Sequence, residues 1–177
     1  MKHRLALAGA LTILGAVALA PKAQAQDTIT IPFNGTVNSS CTFSNLQTGT
    51  LAQPSANAEY LMAHSGSNVG QPGSVAVNCP SGSAQVGISA PVKVNAPNSF
   101  SPSVVQAVLT DGTNSTTAFT GNRFNTNAPW NANTGDITVN SASANMSVCM
   151  VVGENASTNG LPFGTYLYQV TVTATAQ

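Results

Sequence analysis

The sequence predicts an all-β protein, and three observations support this. Apolar and polar side chains alternate with a period of two in several short segments, as in strands with one buried face. Glycine, proline, asparagine and aspartate residues separate these segments and favour turns. Asp, Glu, Lys and Arg make up 6% of the chain, whereas apolar residues make up 42%. Frequent, periodic apolar residues distinguish such a chain from a disordered one, which has high charge and few apolar residues.

The first 25 residues have the layout of a secretory signal peptide. A basic tip at residues 1–4 precedes an apolar run at residues 5–20, and residues 23–25 (Ala-Gln-Ala) form a small-x-small cleavage motif. The run is short for a membrane-spanning helix. We therefore expect cleavage after Ala25 and a single β-sandwich domain over residues 26–177. The protein is then exported through the periplasm to the cell surface or the medium.

The predicted mature chain has few charges. It keeps two basic and five acidic side chains, a net charge of −3. Such a chain has no basic patch for nucleic acid or for an anionic membrane, so neither is an expected partner. It also has no second apolar run long enough to span a bilayer.

Two alternating segments each contain a cysteine. Residues 29–43 carry their apolar side chains at odd positions, Cys41 among them, and residues 73–79 end in Cys79. Both segments are expected to be half-buried strands. The mature chain has a third cysteine, Cys149, so three pairings are possible and each leaves one cysteine over.

The central part of the chain predicts further strands. Alternation over residues 84–90 indicates a strand close enough to residues 73–79 to form a hairpin with it. The apolar run at residues 104–110 is followed by Asp-Gly and by β-type sequence at residues 116–120, which also predicts a hairpin.

Residues 55–64 suit either a short helix or an edge strand, because they show no clear apolar stripe. The proline-containing residues 91–102 read as a connection.

The clearest alternation closes the chain and predicts one long strand over residues 166–176. Tyr166, Tyr168, Val170 and Val172 lie on one side, and Thr and Gln dominate the other. Shorter strands are expected at residues 137–140 and 146–152. About nine short strands separated by turn signals predict an immunoglobulin-like β-sandwich.

At this point the chain resembles the subunits of chaperone–usher fimbriae, in particular those with a spore coat protein U-like domain. The resemblance rests on three features of the sequence. The first is an aromatic-x-Gly-x-Val pattern followed by a cysteine; the second is a cysteine ending a strand about forty residues later; the third is a Gly-Thr-Tyr start to a closing strand rich in Val and Thr. Here these features are Phe33, Gly35, Val37 and Cys41; Val75, Val77 and Cys79; and Gly164, Thr165, Tyr166, Val170 and Val172.

The resemblance implies a pilin-type sandwich that lacks one strand. An N-terminal extension from another copy or a related subunit fills the groove by β-strand addition. It also implies a Cys41–Cys79 disulfide, a periplasmic chaperone and an outer-membrane usher. The candidate donor residues are Ile29 and Ile31, which lie on one face of a segment of high β-propensity. The alternative is that they pack in their own domain as a continuation of the first strand. Two features depart from the family pattern: the extension before Phe33 is short, and Cys149 has no counterpart.

Other candidate sites in the sequence have simpler interpretations. The long polar segment at residues 121–135 is a possible contact loop through Arg123, Phe124 and Trp130, although Trp130 is slightly more suited to anchoring the loop in the core. His64 lacks the sequence context of a catalytic triad, and Asp111 and Asp136 sit beside glycines as turn residues do. We expect no enzymatic activity, cofactor or metal site.

The sequence thus favours a secreted structural subunit of a pilus, fimbria or coat, assembled by β-strand addition. A monomeric secreted module for adhesion, binding carbohydrate or protein, is the alternative.

Overall fold

The computed structural model of the protein describes residues 40–55, 58–66, 69–80, 82–124, 127–154 and 160–177. All of these residues belong to one compact unit. They contain eleven strands and no helix, which confirms the all-β prediction. The strands are β1 (Thr42–Gln47), β2 (Tyr60–Ala63), β3 (Gly73–Asn78), β4 (Ala84–Ile88), β5 (Val92–Asn95), β6 (Val104–Thr110), β7 (Ser115–Gly121), β8 (Ile137–Val139), β9 (Ser143–Gly153), β10 (Leu167–Gln169) and β11 (Val172–Ala176).

The strands form three antiparallel sheets. The largest has the order β1-β3-β9-β6-β7, with β2 continuing the β3 edge of β9. A three-stranded sheet has the order β11-β4-β8, and β10 pairs with β5 in a two-stranded sheet. Since the large and three-stranded sheets bury their facing side chains in one cluster, the fold is a two-layered, sandwich-like arrangement.

The centre of the large sheet is covered on both faces. On the inner face, Leu109 and Met146 pack against Val86 and Ile137 of the three-stranded sheet. The outer face of β6 packs beneath Trp130, which is 3% exposed. Because both faces are buried, β6 reads as an almost unbroken apolar run rather than as an alternation.

The expected hairpin over residues 104–120 is confirmed. β6 and β7 pair along their whole length, from Val104 opposite Gly121 to Thr110 opposite Ser115. Gly112 in the connecting turn has a φ of 94°, a conformation in which glycine is favoured. For residues 55–64, the structure forms the strand β2 rather than a helix.

Two sequence expectations about the strands are wrong. β3 and β4 do not form a hairpin, because β3 pairs with β1 and β9 whereas β4 pairs with β8 and β11 in the opposite layer. Residues 91–102 are not only a connection, because they contain β5. All four residues of β5 are exposed, so this strand has no buried side chain that would reveal it in the sequence.

The predicted closing strand is interrupted. β10 and β11 are separated at Val170 and Thr171 and pair with different sheets. At the break, the Ser89 N–H donates to the Thr171 carbonyl oxygen and the Thr171 N–H donates to Ser89 Oγ, both over 2.9 Å. The two strands nevertheless keep one alternation of half-buried and exposed residues from 166 to 176.

The first predicted strand lies mainly outside the described residues. The leader at residues 1–25 and the donor residues Ile29 and Ile31 also lie there. Within the described part, β1 begins one residue after Cys41 and runs further than the predicted end at Phe43. Among the described residues, no helix has the length and hydropathy needed to cross a bilayer.

Candidate functional site: an apolar groove between two strand edges

A large apolar groove separates β1 from the β10–β11 segment. Its volume is about 750 Å³. Phe43 and Leu46 of β1 line one side, and the inner face of the large sheet contributes to the lining through β3 and β9. The lining on the sheet and on the β10–β11 side includes Val75, Val148, Met150, Tyr166, Leu167, Tyr168, Val170 and Val172.

The strands beside the groove have unpaired edges. Within the described residues, the only ladder partner of β1 is β3, that of β10 is β5 and that of β11 is β4. Backbone N–H and C=O groups on the outer edges of these strands are therefore not used by the sheets. An apolar groove between two such edges has the chemistry that an added strand requires.

The side chains of β1 show that the groove is open. All six residues of β1 are exposed, with Phe43 at 46% and Leu46 at 75%. β1 therefore presents two large apolar side chains that line the groove and remain open to solvent.

Tyr168 lies in the wall of the groove with an unused hydroxyl group. Its Oη is buried and has no hydrogen-bond partner among the described residues. Burial, with a smaller contribution from Tyr166, raises the pKa of Tyr168 to about 12. By contrast, the Tyr166 hydroxyl donates to the Pro162 carbonyl oxygen at 2.5 Å.

One end of β1 is fixed covalently. Cys41 and Cys79 form a disulfide, as the resemblance to fimbrial subunits implies, at a sequence separation of 38. Cys149 is free and buried, on the outer face of the large sheet with Trp130 and Met62. Burial raises the pKa of the Cys149 thiol and outweighs the lowering effect of hydrogen bonds from Ser147 and the Ser65 backbone.

The candidate contact loop packs inward. Phe124 makes edge contacts with Tyr60 and Trp130 at centroid distances of 4.9 and 5.7 Å. The Arg123 guanidinium donates to the Ala132 carbonyl oxygen and stands 6.0 Å from the ring centre of Phe119. Trp130 is therefore buried against the sheet and Phe124 is partly buried there, whereas Phe119 remains exposed.

A buried glutamine that sequence analysis missed holds this loop. Gln106 is 0% exposed, and its Nε2 donates to Thr117 Oγ1 at 3.0 Å and to the Trp130 carbonyl oxygen at 2.8 Å. Its Oε1 accepts a bond of 2.8 Å from the Phe124 N–H. Gln106 stands within an apolar run, and nothing in the sequence indicates that its amide joins the sheet to the loop.

His64 lies beside Trp130, whereas the two aspartates line adjoining clefts. The His64 ring contacts Trp130 edge-on at 5.8 Å. Asp111 and Asp136 line two polar clefts of about 450 and 710 Å³ beside β8. The described residues bring no set of three His, Cys, Asp or Glu side chains together that could hold a metal ion.

Asp111 has a structural role in its turn. Its Oδ1 accepts hydrogen bonds from the N–H groups of Thr113 and Asn114 at 2.8 and 2.7 Å. Burial acts to raise the pKa of Asp111, but these and other hydrogen bonds outweigh it, so the pKa lies below the ordinary value.

An Asp111→Asn variant is expected to remove part of the acid dependence of stability. The folded-state pKa is lowered, so the ionised carboxylate stabilises the fold above its ordinary pKa, and this contribution disappears as the pH falls through the lower folded value. Asparagine keeps the Oδ1 acceptor for the turn but does not titrate there. Urea unfolding between about pH 5 and pH 2 should therefore show a shallower loss of stability in the variant. Parallel curves for parent and variant would contradict this role.

No protein-family model matches this chain, and no curated protein or solved structure shows significant similarity to it.

Proposed function

We propose that the protein is a secreted, non-enzymatic structural subunit of a surface fibre or coat, assembled by β-strand addition. The observation that carries the proposal is the apolar groove bounded by the unpaired edges of β1 and β10–β11. The resemblance to fimbrial subunits in the sequence supports the same function. A periplasmic chaperone that protects the groove and an outer-membrane usher belong to this proposal.

The groove offers an added strand both hydrogen bonds and side-chain contacts. Backbone groups on β1 and on β10–β11 face it from opposite sides, so an inserted strand can form ladders on two edges. An inserted strand with alternating apolar side chains directs them toward Val75, Val148 and Met150 between the edges.

The donor in this proposal is the segment at residues 26–32 of a second copy. Its sequence, Gln-Asp-Thr-Ile-Thr-Ile-Pro, is rich in β-branched residues and places Ile29 and Ile31 on one face. Pro32 lacks a backbone N–H and cannot extend a ladder at that position, which suits the end of an inserted strand.

The test introduces charge on the donor face. A mature chain with Ile29→Asp and Ile31→Asp is expected to remain folded but to lose stable multimers, because two carboxylates cannot enter an apolar groove without a large desolvation cost. Size-exclusion chromatography with light scattering measures the multimers, and circular dichroism measures the fold.

Thr28→Asp with Thr30→Asp is the matched control. It adds the same charge to the same segment, but on the opposite face, and should preserve most of the multimers. The proposal is wrong if the parent is monomeric at all concentrations. It is also wrong if the Ile29/Ile31 variant unfolds the isolated domain, because the segment would then belong to its own sheet.

A further inference from the structure

An exposed apolar surface adjoins the groove on the two-stranded β5–β10 sheet. Val92 and Val94 of β5 and Leu167 of β10 are 56%, 51% and 52% exposed. In the ladder, Val92 lies opposite Gln169, and Leu167 lies opposite Asn95, with a shift of register between Leu167 and Tyr168. The exposed surface of this small sheet thus carries three aliphatic side chains beside polar ones.

Phe163 extends this surface beyond the end of β5. Its side chain is fully exposed, at 104%. A side-chain carbon at the neighbouring Gly164 would stand 2.6 Å from Cγ of Pro97, so the turn lies directly against the chain that leaves β5. Val92, Val94, Leu167 and Phe163 are called the β5–β10 patch below. Single exposed apolar residues are common, but a group of them on neighbouring segments marks an interaction surface.

The patch is continuous with the groove. Leu167 lines the groove as well as belonging to the patch. Phe163 lines a second cleft of about 540 Å³, which shares Gly49, Leu51 and Tyr166 with the groove. A protein that binds the patch therefore also contacts one end of the groove.

We infer that the β5–β10 patch binds the folded domain of the copy that donates its strand. This inference rests on the proposed function. Seven residues, 33–39, separate the donor segment from Ser40, where the described body begins. At about 3.3–3.6 Å per residue they span at most about 25 Å. The body of the donor copy therefore lies within about 25 Å of the groove end at which its segment leaves.

The end of the groove near Phe163 fits a second copy of this chain. At the opposite end, β1 starts beside Asn78 and β11 ends beside Ser83, both polar residues. Lys93 is the one charged residue of β5 and β10, and charged residues make up only 6% of the whole chain. A second copy thus brings few charged side chains, and little charge repulsion, to the patch.

This contact joins two different surfaces of the chain. The donor copy contributes the region around Ser40, and the acceptor copy contributes the patch. A contact of this kind is heterologous and leaves a free patch at one end of each assembly. It therefore stabilises a growing row of subunits independently of the inserted strand.

The test separates the patch from the groove by using two readouts. A labelled peptide with the sequence of residues 27–33 reports groove binding to the Ile29→Asp/Ile31→Asp chain, which cannot donate its own segment. The dissociation constant of multimers formed by the otherwise unchanged mature chain reports the contact between the donor domain and the patch. Val92→Ser with Val94→Ser is introduced into both proteins, and Phe163→Ser is a second, independent patch variant.

We expect both patch variants to bind the peptide as the parent does but to raise the multimer dissociation constant by about tenfold or more, as for the loss of central apolar contacts. Phe119→Ser is the control, because Phe119 is 37% exposed on β7, away from the groove. Unchanged multimers in the patch variants, or peptide binding weakened to the same degree, would overturn the body contact. If the Ile29→Asp/Ile31→Asp chain with an unsubstituted patch does not bind the peptide, strand addition itself is overturned.

Discussion

Replacing Cys41 and Cys79 together by alanine is expected to lower the free energy of unfolding by ~4 kcal/mol. The disulfide closes a loop with a sequence separation of 38, and the loss of that constraint increases the entropy of the unfolded chain. The loss is a large share of the roughly 5–15 kcal/mol that stabilises an ordinary domain. Urea unfolding of the oxidised parent and the double variant measures the difference.

The loss of stability should be greatest in β1. β1 pairs only with β3 within the described residues, and all its side chains are exposed. Without the disulfide, hydrogen exchange should become faster in β1 before it does in β6 or β9. Chemical reduction of the parent should reproduce the destabilisation without any substitution.

Cys149→Ala provides the control for the disulfide experiment. Cys149 is buried but unpaired, so its truncation should cost only about 1 kcal/mol. A double Cys41/Cys79 variant that loses no more than this control would contradict the prediction. Peptide mapping that linked Cys149 to either partner would contradict it as well.

Gln106→Leu is expected to lower the free energy of unfolding by about 3 kcal/mol. Leucine fills a similar volume, but it leaves the Phe124 N–H and the Trp130 carbonyl group without their buried partner. Each unsatisfied buried backbone group costs about 1–3 kcal/mol. The fluorescence of Trp130, the only tryptophan, should shift to longer wavelength as the loop loosens.

Gln85→Leu is the matched control for the buried glutamine. Gln85 lies in β4 and donates to Thr138 Oγ1 at 2.9 Å, but this contact is exposed to solvent. Water can replace the lost bond, so the expected change is within about 0.5 kcal/mol. Equal destabilisation by the two substitutions would show that burial of the Gln106 amide is not the cause.

Local sequence patterns predicted most individual strands. The alternation of Val75 and Val77, the Asp111-Gly112 turn and the apolar run of β9 correspond to observed elements. They are local features, because alternation reflects burial of one face and a turn depends on a few dihedral angles. β5 was not predicted, because Val92 and Val94 alternate on a strand that buries neither face.

Which strands pair with each other could not be predicted from these patterns. Alternation says which side of a strand is buried, but it does not say which strand lies beside it. β3 and β4 are consecutive yet belong to opposite layers, and the break at Val170 leaves the alternation of the closing strand unchanged. The groove depends on which edges remain without a partner, so it became visible only with the three-dimensional arrangement. The donor residues lie outside the described part of the chain.

The position of Cys41 has a mechanical consequence for an assembled fibre. If the segment before Ser40 is held by a neighbouring subunit, tension enters the domain at Cys41, one residue before β1 begins. The disulfide transmits that tension directly to Cys79, which follows β3 and is 1% exposed in the core. The backbone ladder between β1 and β3 is therefore bypassed, and the load passes into the centre of the sandwich through a covalent bond. A subunit with a reduced disulfide would instead have β1 peeled from β3 one hydrogen-bonded pair at a time.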